Sequence, residues 1–382
     1  MKQASVFFFT LLFYLAPCFG QALTSRSHNF TLDLPNGYQL VESNQKDRFL
    51  FKNTLVPCQL QVSYDSISTF ENTAKACESI FTQLVAQHKD IPFFWCEHEA
   101  QLSTFTFMQA VEYSGWMLVL KLKDCWLSVI AYSETSMAKI CEPIIISSLD
   151  SIFTGPLSFY VPGPVTTCLY QRDNHFEEVS IMFDKQPLTF YMHPIDAEAN
   201  KSVVEREFSV LTLSTQSGSI LQAWQRYYRT IFRDSWARLQ SFAFEIKNAL
   251  LKKGILQDKS AVLKVLAEHV QHFSYIRIPD GTDFVDLVTA CTTNTGDCDT
   301  RCLLLNIILS QLGIKNALFI SPEFGHALCG VDIPLSGAQM SDGKTNYLLV
   351  ETTAKVEPGL IASDIADERK WFVTNLYGLL NQ

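Results

Sequence analysis

Gly296-Asp297-Cys298-Asp299-Thr300-Arg301-Cys302-Leu303-Leu304-Leu305-Asn306-Ile307-Ile308-Leu309 reads as a turn running straight into an apolar helix. A cysteine in the first turn of a buried helix lies where free backbone N–H groups and the positive end of the dipole favour a thiolate. Downstream, His326 in Gly325-His326-Ala327 opens a strand-like segment. Glu351 closes another, Tyr347-Leu348-Leu349-Val350-Glu351-Thr352-Thr353. Cysteine, histidine and carboxylate are the set a thiol nucleophile needs: an attacking group, a base, and a group to orient the base.

Taken together, these residues give the segment from Ala261 to Gly359 a resemblance to the transglutaminase-like superfamily, relatives of the papain-type cysteine peptidases. Such domains show a Gly-Asp-Cys turn into a helix, a glycine at its end, a histidine on the next strand and an acidic residue on the strand after. The resemblance implies Cys298 as nucleophile, Gly313 at the helix terminus, His326 as base and Glu351 at the acidic position. Phe273-Ser274-Tyr275 resembles the aromatic segment upstream of the nucleophile, and the match covers roughly a quarter of the chain. Two departures stand out: the acidic residue is Glu rather than Asp, and Ala327 and Leu328 follow the histidine where an aromatic is usual.

A site of this kind performs acyl transfer: thiolate attack on an amide or ester carbonyl, a thioester, then release by water or an amine. An unperturbed thiol of pKa about 8.5 is only a few per cent ionised at neutral pH, so the helix terminus and an imidazolium partner are expected to lower it. Asp297 and Asp299 flank the thiol, but immediate neighbours on a helix do not share a face, so their repulsion is expected to be minor. The Cys298 N–H is the natural oxyanion donor, and a second is sought in the Gln271 to Tyr275 segment. No cofactor is expected. Cys302 is read as packing beneath the nucleophile. Two alternatives stay open: Cys298, Cys302, His326 and Cys329 as zinc ligands, and Cys291 or Cys302 resolving an oxidised Cys298. A third is an inert transglutaminase-like scaffold serving as an exported binding or assembly protein.

The chain of 382 residues has room for two or three domains and carries a formal net charge of −9. That balance argues against nucleic acid and against an anionic membrane surface as the main partner. From Ser260 onward there are 8 basic and 14 acidic residues, which favours a neutral or basic substrate over an acidic one. Lys2, the apolar run Val6 to Ala16 and Gly20-Gln21-Ala22 read as an export signal cleaved after Ala22, with lipid attachment at Cys18 in Leu15-Ala16-Pro17-Cys18 and an uncleaved signal anchor as the alternatives. The run is broken by Pro17 before it could span a bilayer, which takes roughly 20 residues. The expectation is an exported, periplasmic or secreted protein acting on a protein or peptide, with cell-envelope peptide among the candidates. Ten of the 11 cysteines survive such cleavage, and at least one disulfide is expected among the six from Cys58 to Cys168.

The fold class expected is α+β. Residues 23–154 read as several strands, a helix, a meander and a second helix: an antiparallel sheet with packed helices. In pattern alone this resembles the sandwich of photosystem extrinsic proteins and of a family of nuclear-import factors. Residues 155–200 read as a linker with short strands between Phe176 and Tyr191, residues 201–258 as helical, and residues 259–382 as the transglutaminase-like domain. Arg226, Arg229, Arg233 and Arg238 lie among helix aromatics and read as a solvated, ion-paired face. Ser260 is the expected N-cap of the helix that follows Gly254.

Overall fold

The computed structural model describes residues 23–25, 29–44, 46–215, 218, 220–276 and 282–376. The expected signal, residues 1–22, lies outside the described residues. The chain is α+β and begins with an antiparallel sheet. In the front half come β1 (Leu23–Ser25), β2 (Phe30–Leu32), β3 (Tyr38–Ser43), β4 (Arg48–Asn53), β5 (Cys58–Ser66), α1 (Thr73–Leu84), β6 (Gln87–Trp95) and β7 (His98–Met108). They are followed by β8 (Glu112–Lys121), β9 (Cys125–Glu134), α2 (Ala138–Asp150), β10 (Ile152–Phe153) and α3 (Pro164–Leu169). Seven strands form one sheet in the order β3-β4-β5-β9-β8-β7-β6. Successive side chains of a strand point to opposite faces. On β9, accordingly, Cys125, Leu127, Val129 and Ala131 join the core under α2, while Trp126 and Ile130 join the one under α1.

Strand β6 was not expected. Its Gln87-His88-Lys89-Asp90 start is polar and Pro92 interrupts it, yet β6 is the edge of the sheet. A strand pairs there on one side only, and a residue without an N–H is tolerated.

Residues 155–200 are folded rather than a linker. Val165 and Cys168 of α3 are buried in the front core, and β11 (Glu177–Phe183) and β12 (Gln186–Met192) form a hairpin packed into the rear core. The helices α4 (Ile195–Ser214), α5 (Ile220–Arg238), α6 (Gln240–Lys252) and α7 (Lys259–Gln271) then lead to α8 (Leu287–Thr293) and α9 (Cys298–Gln311). Asp258, not Ser260, caps α7, its carboxylate accepting from Ser260 N at 3.0 Å and Ala261 N at 3.1 Å. The remaining strands β13 (Asn316–Ser321), β14 (His326–Val331), β15 (Gln339–Ser341), β16 (Asn346–Val350) and β17 (Phe372–Thr374) form an antiparallel sheet in the order β15-β16-β14-β13-β17. Helix α9 is buried against it.

The arginines of α5 correct a second expectation. Arg226, Arg229 and Arg238 are ion-paired and Arg233 bonds backbone carbonyls, but the face is not solvated: Arg226, Arg233 and Arg238 are all buried. Arg226 donates to Glu207 Oε2 at 2.6 Å and to the Asp33 carbonyl at 2.7 Å, and Arg233 to the carbonyls of Asp150 and Ile152 at 2.8 and 2.7 Å. The face therefore binds the front half to the rear. The expected disulfide is also missing: all ten cysteines among the described residues are free. Among those residues no helix is long and apolar enough to cross a membrane.

Candidate active site

Cys298 is the first residue of α9 because Asp297 caps the helix, accepting from Thr300 N at 2.9 Å. Gly296 has φ +156°, and a Cβ there would meet Thr300 Cγ2 at 2.6 Å, so the turn requires glycine. At the far end Gly313 has φ +73°. Its N–H reaches the Ser310 carbonyl and that of Ile314 the Leu309 carbonyl, both at 2.9 Å, a Schellman stop. Arg301, buried at 2 % exposure, reaches back to the carbonyls of Gly296 (2.9 Å), Phe273 (2.9 Å) and Thr352 (3.1 Å). It thereby ties the Gly296-Asp297-Cys298 turn to the aromatic segment upstream and to the chain just past Glu351.

His326 starts β14, and Glu351 immediately follows β16, the neighbouring strand. His326 Nε2 lies 2.7 Å from Glu351 Oε2, so the longer glutamate spans the gap without difficulty. Its second oxygen accepts from the N–H and the hydroxyl of Thr353, both at 2.6 Å. Burial opposes the charge, yet His326 and these two donors overcome it and hold the Glu351 carboxyl down to about 2. The Trp371 ring meets His326 edge-on at 6.2 Å.

Cys298 and His326 line one cavity of about 320 Å³ together with Phe208, Trp224, Tyr227 and Asp283. The thiol itself differs from the expectation. Its Sγ donates to Asp299 Oδ1 at 3.2 Å, and Tyr228 donates to the other Asp299 oxygen. Burial, then the charges of Asp299 and Asp297, push the Cys298 thiol well above its ordinary range, while the Ala327 N–H pulls the other way. Both the expected lowering of this thiol and the minor repulsion are thus overturned. Burial and Asp299 also push the Asp297 carboxyl up to about 7, against the Thr300 donors.

The sought oxyanion donor is not the Gln271 amide, which is spent on the carbonyls of Glu351 and Val356, both at 2.9 Å. Cys302 is fully buried one turn along α9 from Cys298, its sulfur 3.3 Å from Thr352 Oγ1. Cys329 accepts from Asn306 Nδ2 at 3.2 Å, and Cys291 donates to the Val288 carbonyl at 3.2 Å. Among the described residues no three His, Cys, Asp or Glu side chains are grouped to hold a metal.

No family model matches this chain, and no curated protein does. Among solved structures, cyanobacterial PsbP (CyanoP) from Synechocystis sp. PCC 6803 is similar over 38% of this chain and 98% of its own, at 10% identity and TM-score 0.31. A Pseudomonas aeruginosa protein of unknown function, PA94, is similar over 36% of this chain and 97% of its own, at 11% identity and TM-score 0.26. A Bacteroides thetaiotaomicron protein is similar over 62% of this chain and 79% of its own, at 11% identity and TM-score 0.26. At these scores the likenesses bear on neither the fold of the site nor its chemistry.

Proposed function

We propose that this chain is an exported, transglutaminase-like thiol acyltransferase or hydrolase acting on an amide or peptide bond. The observation that carries the reading is the ordered pair of His326 Nε2 and Glu351 Oε2, 2.7 Å apart, beside a cavity that Cys298 also lines. With Nε2 committed to the carboxylate, Nδ1 is the nitrogen left to take the thiol proton. The sulfur attacks the carbonyl, and the Cys298 N–H, which has no intrahelical acceptor at the helix start, meets the developing oxyanion. His326 returns its proton to the leaving amine, and water or a second amine releases the thioester. The carboxylates of Asp283, Asp297 and Asp299 and the rings of Trp224 and Tyr227 in the cavity wall favour a neutral or cationic substrate.

A nitrophenyl ester tests this without knowledge of the substrate. Pre-steady-state mixing should release about one equivalent of nitrophenol per chain, with the acyl group mapped to Cys298 by mass spectrometry. His326→Ala should slow that burst by about a hundredfold or more. No burst, or one indifferent to His326, would sink the enzyme reading. The raised Cys298 thiol favours a second reading, an inert scaffold that binds peptide in the same cavity, and the same result would support it.

A further inference from the structure

We propose that Asp299 is a positioning residue that restrains the nucleophile: in the resting site it holds the Cys298 proton, and the thiol serves His326 only after giving up that bond. This deepens the acyl-transfer reading and rests on it.

The geometry is a chain of three side chains. Cys298 Sγ donates to Asp299 Oδ1 at 3.2 Å, and Tyr228 donates to Oδ2. Tyr228 is fully buried on α5, stacked on Trp224 at 5.7 Å between ring centroids and edge-on to Tyr227 at 5.0 Å. That packing fixes the hydroxyl, and the hydroxyl fixes the carboxylate, so its hold on the thiol is built in rather than a passing surface contact. His326 is meanwhile held by Glu351. Each member of the nucleophile pair is thus restrained by its own carboxylate.

A carboxylate that accepts from a thiol stabilises S–H over S⁻, by repulsion of the anion and by loss of the bond on ionisation. The charged and titratable groups facing the sulfur come from every neighbouring element. Asp297 and Asp299 lie at the start of its own helix, Tyr227 comes from α5, Asp283 precedes α8 and His326 opens β14, all on the wall of the same cavity, while Cys302 one turn on and Arg301 act on the sulfur through their charge. Among the described residues, Asp299 is the side chain that accepts the thiol proton. Release breaks the S–H···O contact, turns the sulfur toward His326 and passes the proton to Nδ1; no electrons are exchanged. The restraint leaves the thiol protonated, and so poorly reactive toward oxidants and stray electrophiles, until substrate fills the cavity.

The test is the rate of iodoacetamide labelling of the full mature chain from pH 5 to 10, mapped to Cys298 by mass spectrometry. The wild-type midpoint should lie above about 8.5, the value of an ordinary thiol. Asp299→Asn and Asp299→Ser should each lower it by a unit or more, labelling about tenfold faster at pH 7. Adding His326→Ala to either Asp299 variant, whose thiol is free to meet the base, should raise it again. A wild-type midpoint below the ordinary value, or one that neither Asp299 variant moves, overturns the restraint. If the Asp299 variants move it and the ester burst at Cys298 is absent or indifferent to His326→Ala, the restraint stands as a hydrogen bond and the acyl-transfer reading falls. The reverse pattern removes the restraint and leaves acyl transfer in place.

Discussion

Glu351 accepts from His326 at one oxygen and from Thr353 twice at the other. Its carboxyl is held at about 2 in the folded chain, against about 4.3 for a free glutamate. A folded pKa below the unfolded one stabilises the fold fully above the unfolded value, and that stability is lost as pH falls toward the folded one. The shift corresponds to roughly 3 kcal/mol if complete. Urea midpoints at pH 6, 4 and 3 should therefore fall for the wild type through a component absent from Glu351→Gln. Parallel titrations in the two chains would contradict this account. At this scale the meeting of His326 with Glu351 and the place of Cys298 in the same cavity wall were legible, because a thiol, an imidazole and a carboxylate at these spacings pointed to one another. Asp299 was misjudged and Thr353 passed over. The contact of Asp299 depends on how a helix begins, and that of Thr353 on how a strand ends, and neither leaves a periodic mark in sequence.

Helix α9 combines strong local signals with a tertiary anchor. Its stop at Gly313 and its apolar run could be read directly, whereas Asp297 was read only as a charge beside the thiol and proves to be the cap. The role of Arg301 could not, because its three acceptors are backbone carbonyls from separate segments, and a carbonyl carries no residue identity. Arg301→Lys keeps the charge but lacks the planar fork, so at least one buried carbonyl loses its donor. The expected cost is roughly 2–4 kcal/mol in urea unfolding, with a slower ester burst from a nucleophile turn no longer tied to Phe273 and Thr352. Unchanged stability would show that the three contacts are dispensable. The same limit hid β6. Its polar start and Pro92 contradict a central strand, and only the assembled sheet shows it to be an edge.

Over the whole molecule, the two halves meet through buried charge as well as through Val210 and Leu213 of α4, which pack into the front core. Glu207 on α4, 1 % exposed, accepts from Arg226, from Arg206 and from Ser147 of the front half. Removing one partner of such a network leaves charge buried and uncompensated, at roughly 3–5 kcal/mol. Glu207→Leu should turn a single cooperative unfolding transition into two, seen as non-coincident tryptophan fluorescence and far-ultraviolet dichroism curves. A variant that still unfolds in one step would mean that the halves are coupled elsewhere. Sequence could not reveal this junction, since arginines among helix aromatics look alike whether they face water or another part of the chain. The division into a sheet-rich front and a helix-led rear was visible because residue periodicity itself changes between them.

Pro92 has a consequence for how copies of this protein behave in concentrated solution. It leaves a missing donor midway along β6, and the opposite margin of the same sheet carries an irregular register between Leu40 and Glu42 on β3. Neither margin offers an unbroken ladder to an extended segment of another molecule, so a broad seven-stranded sheet is kept from templating fibrous self-association.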